Sequence, residues 1–345
     1  MRILVTGGAG FIGSHVAEYY ARKGNEVVVY DNLSRGRLLK RDERNAEYNW
    51  KYLGQFPTIQ RVCKDVRDYE DLAPYCCRAE VIFHIAGQTA VTTSVEDPRP
   101  DFETNVCGTF NVLEAVRRSG EKKTVLYCST NKVYGDNVNE AELVEDAKRY
   151  RIAGRYHQGI PESFAIDHCK HTPYGCSKLA ADLYVQEWAR LYGHKTGVFR
   201  MSCIYGTRQF GFEDQGWVAW FIIAAVKGRP ITIYGDGKQV RDVLEVSDLV
   251  AAYDKFITAD VPHGVFNIGG GAENTLSLLE LIEMIERMTG RKVPLQFADW
   301  RPSDQKAYVS DIQKARSVLG WQPKTTPMTG VERLLGWVNQ HELLW

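Results

Sequence analysis

The stretch Val5-Thr6-Gly7-Gly8-Ala9-Gly10-Phe11-Ile12-Gly13, VTGGAGFIG, decides the fold. The residues before it, Ile3 to Thr6, form a short branched-apolar run that reads as a strand. The residues from Ile12 to Lys23 read as a helix. Glycines between a strand and a helix let the turn tighten, let the backbone approach a pyrophosphate, and let helix and strand pack closely. The helix start adds N–H donors and a partial positive charge suited to phosphate. Gly7, Gly10, Phe11, Ile12 and Gly13 are therefore candidate dinucleotide contacts. Glycines also serve ordinary tight turns, so the flanking strand and helix carry the reading.

A second strand, Glu26–Tyr30, ends at Asp31, eighteen residues past Gly13. A carboxylate there accepts hydrogen bonds from the adenosine ribose and repels a 2′-phosphate, which predicts NAD rather than NADP. Arg35 and Arg37 nearby pull the other way. Asn32 is grouped with Asp31, and Asp65-Val66, after a third strand at Ile59–Lys64, would flank the adenine. Further strands are expected at Val81–Ile85, Thr124–Cys128 and Thr196–Met201, with a helix at Phe102–Arg118 between two of them. Such alternation predicts an α/β fold, a Rossmann-type doubly wound parallel sheet with helices on both faces.

Beyond Met201 the pattern loosens. A helix is expected at Trp217–Lys227, a capping box at Ser277–Glu280, and a short helix over Asp311–Gly320. This half reads as a smaller C-terminal α/β lobe for substrate. The expected organisation is an NAD-binding domain at residues 1–200, to which 239–262 returns, and a substrate lobe at 201–345.

Composition narrows the partners. The 345 residues carry zero formal net charge and no basic cluster, which argues against nucleic acid and anionic membrane. The longest apolar run, near Val218–Val226, is too short to span a bilayer, and the first residues read as a strand rather than a signal peptide. Eight cysteines without a CxxC pair read as reduced, small core residues of a cytoplasmic protein. His168, Cys169 and His171 have no second ligand cluster beside them, so no metal site is expected.

Two stretches carry the chemistry. In HTPYGCSK, Thr172 suits a helix cap and Pro173 a first turn, and Tyr174 and Lys178 then share one face. A free phenol titrates near ~10, and a neighbouring ammonium with a cationic nicotinamide would lower that by ~2–4 units, making Tyr174 a base. A Tyr-x-x-x-Lys spacing is common on surface helices. Its weight comes from the glycine loop and from STNKVYG, Ser129 to Gly135, which follows the apolar run TVLYC.

Together TGGAGFIG, HIAGQTAV, STNKVYG, YGCSK, GDGKQVRDVLEVSDL and RPSDQ resemble the extended short-chain dehydrogenases/reductases of the nucleotide-sugar epimerase and dehydratase group, along the whole chain. The resemblance implies an NAD enzyme with Tyr174 as base, Lys178 as its helper and Thr130 holding the reacting hydroxyl. It implies cofactor contacts at Ala86, Gly87, Gln88 and Asn105, and at Tyr174 and Lys178, the lysine holding the ribose. It implies substrate contacts at Thr130, Asn131, Lys132, Cys203 and Gln215, with Arg241 and Arg301 on the diphosphate. It also implies a homodimer or homotetramer built on Phe102–Arg118 and Tyr174–Tyr192. The family's dehydratases carry an Asp-Glu pair after the threonine, and here Asn131-Lys132 stands instead. That favours a redox-neutral hydride transfer out and back over loss of water, although Lys132 could equally pack its stem and point away.

Within the family, STNKVYG, TPYGCSK, the insertion Asn137–Lys170 and Arg208–Phe221 are most similar to the branch that interconverts CDP-paratose and CDP-tyvelose at C2. Met201 departs from that branch, where a histidine is expected. A UDP-sugar 4-epimerase stays open as the alternative reading, and a noncatalytic NAD-binding sensor is a further one.

Overall fold

In a computed structural model, which describes residues 1–38, 47–301 and 304–345, the first strand β1 (Arg2–Thr6) runs directly into helix α1 (Phe11–Arg22). The side chains of Arg37 and Leu38 fall outside the described residues. Strand β1 is buried from Ile3 to Thr6. It pairs in parallel with β2 (Glu26–Asp31) on one side and β4 (Val81–His84) on the other. Strand β3 (Ile59–Cys63) lies beyond β2, and β5 (Thr124–Thr130) beyond β4. The strands Lys195–Met201 and His263–Ile268 complete a seven-stranded sheet. All four residues of β4 are buried, the continuous apolar reading expected of a parallel strand covered on both faces.

The order of strands reverses at β1 and β4, which is where a doubly wound sheet leaves its ligand crevice. The glycine loop follows β1, and Ala86-Gly87-Gln88 follows β4, so the two loops expected to hold the cofactor flank that point.

The chain divides into two compact units. The first holds Met1–Val133, Thr172–Arg200 and Tyr253–Phe266; the second holds Tyr134–His171, Met201–Ala252 and Asn267–Trp345. In the second, the strand Val240–Glu245 pairs with Cys203–Tyr205 and Ala307–Tyr308 in parallel and with Thr275–Ser277 in antiparallel. Its core packs the helix Trp217–Val226 with Leu278–Thr289 and Pro327–Gln340. The expected capping box is present: the Ser277 hydroxyl accepts from Glu280 N at 3.1 Å, and the Glu280 carboxylate accepts from Ser277 N at 2.8 Å. Among the described residues no helix is long and apolar enough to cross a membrane.

Two expectations need correction. The segment expected as one helix at Phe102–Arg118 starts earlier, at Pro98, and passes through a π-turn at Glu103–Cys107 before continuing as Gly108–Arg118. The cysteines are free, but they are not mostly core: Cys63, Cys77, Cys107 and Cys176 are exposed, and only Cys76 and Cys128 are buried. Amphipathic elements carry both faces within one apolar-looking run, and a small thiol fits either.

The first unit contains a buried ion pair. Arg200 Nε meets Asp182 Oδ2 at 2.9 Å, with side chains 4% and 0% exposed. Ser129 Oγ donates to the same oxygen at 2.7 Å. Removing one partner of such a pair strands a buried charge. Asp182→Ala is expected to lower the free energy of unfolding by about 3–5 kcal/mol, read from urea titrations of the two proteins. An unchanged unfolding midpoint would show that the pair contributes nothing.

Candidate active site

The glycine loop is shaped by its own backbone. Gly7 adopts φ +67°, and a Cβ there would lie 2.6 Å from Ala86 N. A Cβ on Gly13 would run into Gly7 O and the Gly8 backbone, so glycine is what lets helix and loop touch. Gly10 differs, because a Cβ on it would meet only Gly7 O, at 3.1 Å. Ser14 N donates the first helical bond of α1, to Gly10 O at 3.0 Å. The amides of Phe11, Ile12 and Gly13 therefore stand at the helix start as the donors that an anion needs. This donor set fits a pyrophosphate.

Asp31 holds the loop from β2. Its carboxylate accepts from Ala9 N at 3.0 Å and Leu33 N at 2.8 Å. Burial pushes its pKa up, and those two amides pull it back. Carboxylate oxygens have further lone pairs, so ribose hydroxyls can still be accepted. Asn32 Nδ2 donates to Asp65 Oδ2 at 2.7 Å. Burial raises the Asp65 pKa, but Arg67 and Asn32 outweigh it and hold the group at about 2. Val66 O accepts from Asn111 Nδ2 at 3.0 Å. Asp31, Asn32, Asp65 and Val66 thus form one polar rim at the ends of β2 and β3.

At the end of β4, Asn105 joins several predicted residues. Its Oδ1 accepts from Gln88 N at 2.9 Å, and its Nδ2 donates to Gln88 O at 3.1 Å and Ser177 Oγ at 2.9 Å. Ser177 in turn donates to Asp101 Oδ2 at 2.5 Å. A Cβ on Gly87 would lie 2.9 Å from Asn105 Oδ1 and 3.7 Å from Lys178 Nζ. Asn105 projects from the π-turn, a geometry often found at functional sites. Asp101 and Ser177 are absent from the sequence reading. The position of Ser177 beside Lys178 in YGCSK is the one signal that could have marked it.

Tyr174 and Lys178 lie on the helix Pro173–Tyr192, and both are buried. Thr172 caps that helix by accepting from Gly175 N, and Ser94 Oγ accepts from Tyr174 N at 3.1 Å. The Thr130 hydroxyl lies close enough to the Tyr174 side chain to lower its pKa. Thr130 Oγ1 lies 3.3 Å from Asn131 Oδ1 and accepts from Lys132 N at 3.2 Å. Asn131 is buried and Lys132 half-buried.

The expected depression of the tyrosine does not occur in the protein alone. Burial pushes Tyr174 up to about 12, while the Thr130 hydroxyl pulls it down and the charges of Asp101 and Cys128 oppose that. Burial also brings Lys178 down to about 8, against the favourable charges of Cys128, Asp101 and Asp182. Desolvation penalises both charged forms, and it outweighs the neighbouring ammonium that sequence spacing suggests. At neutral pH the pair is a neutral phenol beside an ammonium.

The remaining candidates lie in the second unit. Arg241 Nη2 meets Asp304 Oδ1 at 2.9 Å. Arg301 Nη2 meets Asp214 Oδ1 at 2.8 Å, and its guanidinium lies 3.9 Å over the Tyr234 ring. Asp304 N donates to Arg301 O at 3.2 Å, so Asp304 contacts both arginines. Cys203 Sγ accepts from Trp217 Nε1 at 3.3 Å, and Gln215 closes a tight turn with Phe212 through two 2.9 Å backbone bonds. Among the described residues no group of three His, Cys, Asp or Glu side chains is arranged to hold a metal.

Comparison with known proteins adds the following. The NAD dependent epimerase/dehydratase family matches residues 3–269. A CDP-paratose 2-epimerase from Salmonella typhi is 39% identical over 98% of this chain and 99% of its own length. The structure of UDP-glucose 4-epimerase from Thermotoga maritima with UDP-glucose superposes with a TM-score of 0.80 at 31% identity, covering 99% of both chains. That of UDP-glucuronic acid 4-epimerase from Bacillus cereus, in complex with UDP-glucuronic acid and NAD, gives 0.83 at 25% identity, again over 99% of both chains.

The loop geometry separates two kinds of glycine. Gly13→Ala is expected to lower the thermal unfolding temperature by several degrees, because the backbone must move. Gly10→Ala, which asks only Gly7 O to give way, should lower it less yet weaken dinucleotide binding at least ~10-fold, measured by calorimetric titration. Equal effects of the two substitutions on stability would refute the distinction.

Proposed function

The chain belongs to the NAD dependent epimerase/dehydratase family, its cofactor is NAD and its substrate a nucleotide sugar, and we propose that it inverts a single sugar carbon through a keto intermediate. The observation that carries this reading is the buried Tyr174 side chain under the influence of Thr130, with Lys178 one helical turn further on and no carboxylate at positions 131 and 132. Tyr174 takes the proton of the reacting hydroxyl, which Thr130 holds. Lys178 supports the phenolate that results. Bound NAD supplies the hydride acceptor and a positive charge that favours phenolate. Arg241 and Arg301 anchor the diphosphate, in exchange for the carboxylates of Asp304 and Asp214, while the keto sugar turns over. Asn131 can hold a sugar oxygen, but neither it nor Lys132 supplies the acid that expulsion of water needs. Phe110, Leu183, Tyr184 and Leu191, exposed on the helices Gly108–Arg118 and Pro173–Tyr192, support a homodimer or homotetramer.

Two substrates fit this reading. More of the comparisons favour a UDP-sugar inverted at C4, including both solved structures named above. A CDP-hexose inverted at C2 rests on one relative, but that relative is 39% identical over nearly the whole chain. Turnover of CDP-paratose, CDP-tyvelose and UDP-glucose side by side separates them. Tyr174→Phe is expected to lower turnover of the accepted sugar at least ~10²-fold while NAD stays bound. Near-normal turnover by that variant would remove Tyr174 from the mechanism.

A further inference from the structure

Lys178 is buried without a counter-ion in contact. Among the described residues its Nζ makes no hydrogen bond and no ion pair, and the group it touches is the ring face of Tyr127, 4.4 Å from Nζ to the centroid. Buried ammonium groups are normally paired, so a ring in that place calls for an explanation. Tyr127 is itself buried, on β5, three residues before Thr130. The other groups that face the ammonium act at longer range. They are Asp101 on the Pro98–Phe102 helix, Asp182 on the lysine's own helix, and Cys128 on β5. His84 on β4 stacks with Tyr127 at 5.8 Å, and burial and then the charge of Lys178 hold it at about 3, so it is neutral and brings no second cation to the ring.

We infer that Tyr127 is a positioning residue for Lys178, whose ammonium it seats on its ring face by a cation–π contact in place of a carboxylate. The chemistry of that choice is specific. A carboxylate would occupy the N–H donors of the lysine and neutralise its field. The negative face of a ring attracts the charge in a desolvated setting and leaves donors for a bound ligand. The inference depends on the proposed catalytic role of Lys178 only for its consequence, since the contact itself exists in the protein without substrate.

The test measures the ammonium directly. Competitive acetylation of the whole protein across pH, read at Lys178 by peptide mass spectrometry, gives its midpoint of deprotonation without any turnover. Three proteins are compared: wild type, Tyr127→Phe, and Tyr127→pentafluorophenylalanine, which keeps the ring's shape and reverses its quadrupole. Removing the attraction disfavours the charged form, so the midpoint must fall. Phenylalanine is expected to keep the wild-type midpoint, and the fluorinated ring to lower it by about half to one and a half pH units. Identical midpoints for the phenylalanine and fluorinated proteins would overturn the inference, as would an equal fall in both. If the acetylation result holds while no nucleotide sugar is turned over, the proposed function fails and the contact stands.

Discussion

One buried carboxylate fixes the geometry on which the site depends. Asp182 accepts from Ser129 on β5 and pairs with Arg200 on the neighbouring strand Lys195–Met201. It therefore locks its own helix against two strands at one point. Tyr174, Lys178 and Asp182 are spaced by four residues along that helix, so they share a face. Ser129 immediately precedes Thr130. The lock thus sets the distance between the threonine at the strand end and the tyrosine on the helix, although it touches neither. A buried ion pair is weak evidence for stability by itself, because an apolar pair of similar volume can be as stable. Here its directional contacts specify a register that apolar packing would leave loose.

Burial gives the site a second property. It holds Tyr174 above its ordinary range and Lys178 below, which leaves a neutral phenol beside an ammonium. A phenol in that state is a poor base. In the proposed reaction it becomes one when positive charge arrives with the cofactor, which would couple deprotonation of a sugar hydroxyl to the presence of a hydride acceptor. Uncoupled proton removal is thereby disfavoured by the same desolvation that makes the charges effective once present. The arginines of the second unit follow a parallel logic, since each is held by a carboxylate that a diphosphate can replace.

Much of this was legible in the sequence, for identifiable reasons. The glycine loop, Asp31 and the Tyr174–Lys178 spacing are local patterns, and local patterns survive in a one-dimensional reading. The doubly wound sheet followed from alternation of strand and helix. What spacing cannot express is tertiary: that Asp101 and Ser177 would support Asn105, that Asp214 and Asp304 would pair with Arg301 and Arg241, or that Tyr127 would lie under Lys178. The π-turn at Glu103–Cys107 was hidden because its apolar positions still fit a helix. In the protein alone Tyr174 shifts opposite to the direction expected with the nicotinamide cation beside it, because spacing reveals a neighbouring charge and not the water excluded around it.

The central claim is that hydrogen leaves and returns to one sugar carbon as hydride, with Tyr174 handling only the hydroxyl proton. Running the reaction in D₂O and examining the product by mass spectrometry and proton NMR tests this most directly. The account predicts an isomer of unchanged mass, inverted at one carbon, with no carbon-bound deuterium. Deuterium on carbon, or a product lighter by one water, would contradict it.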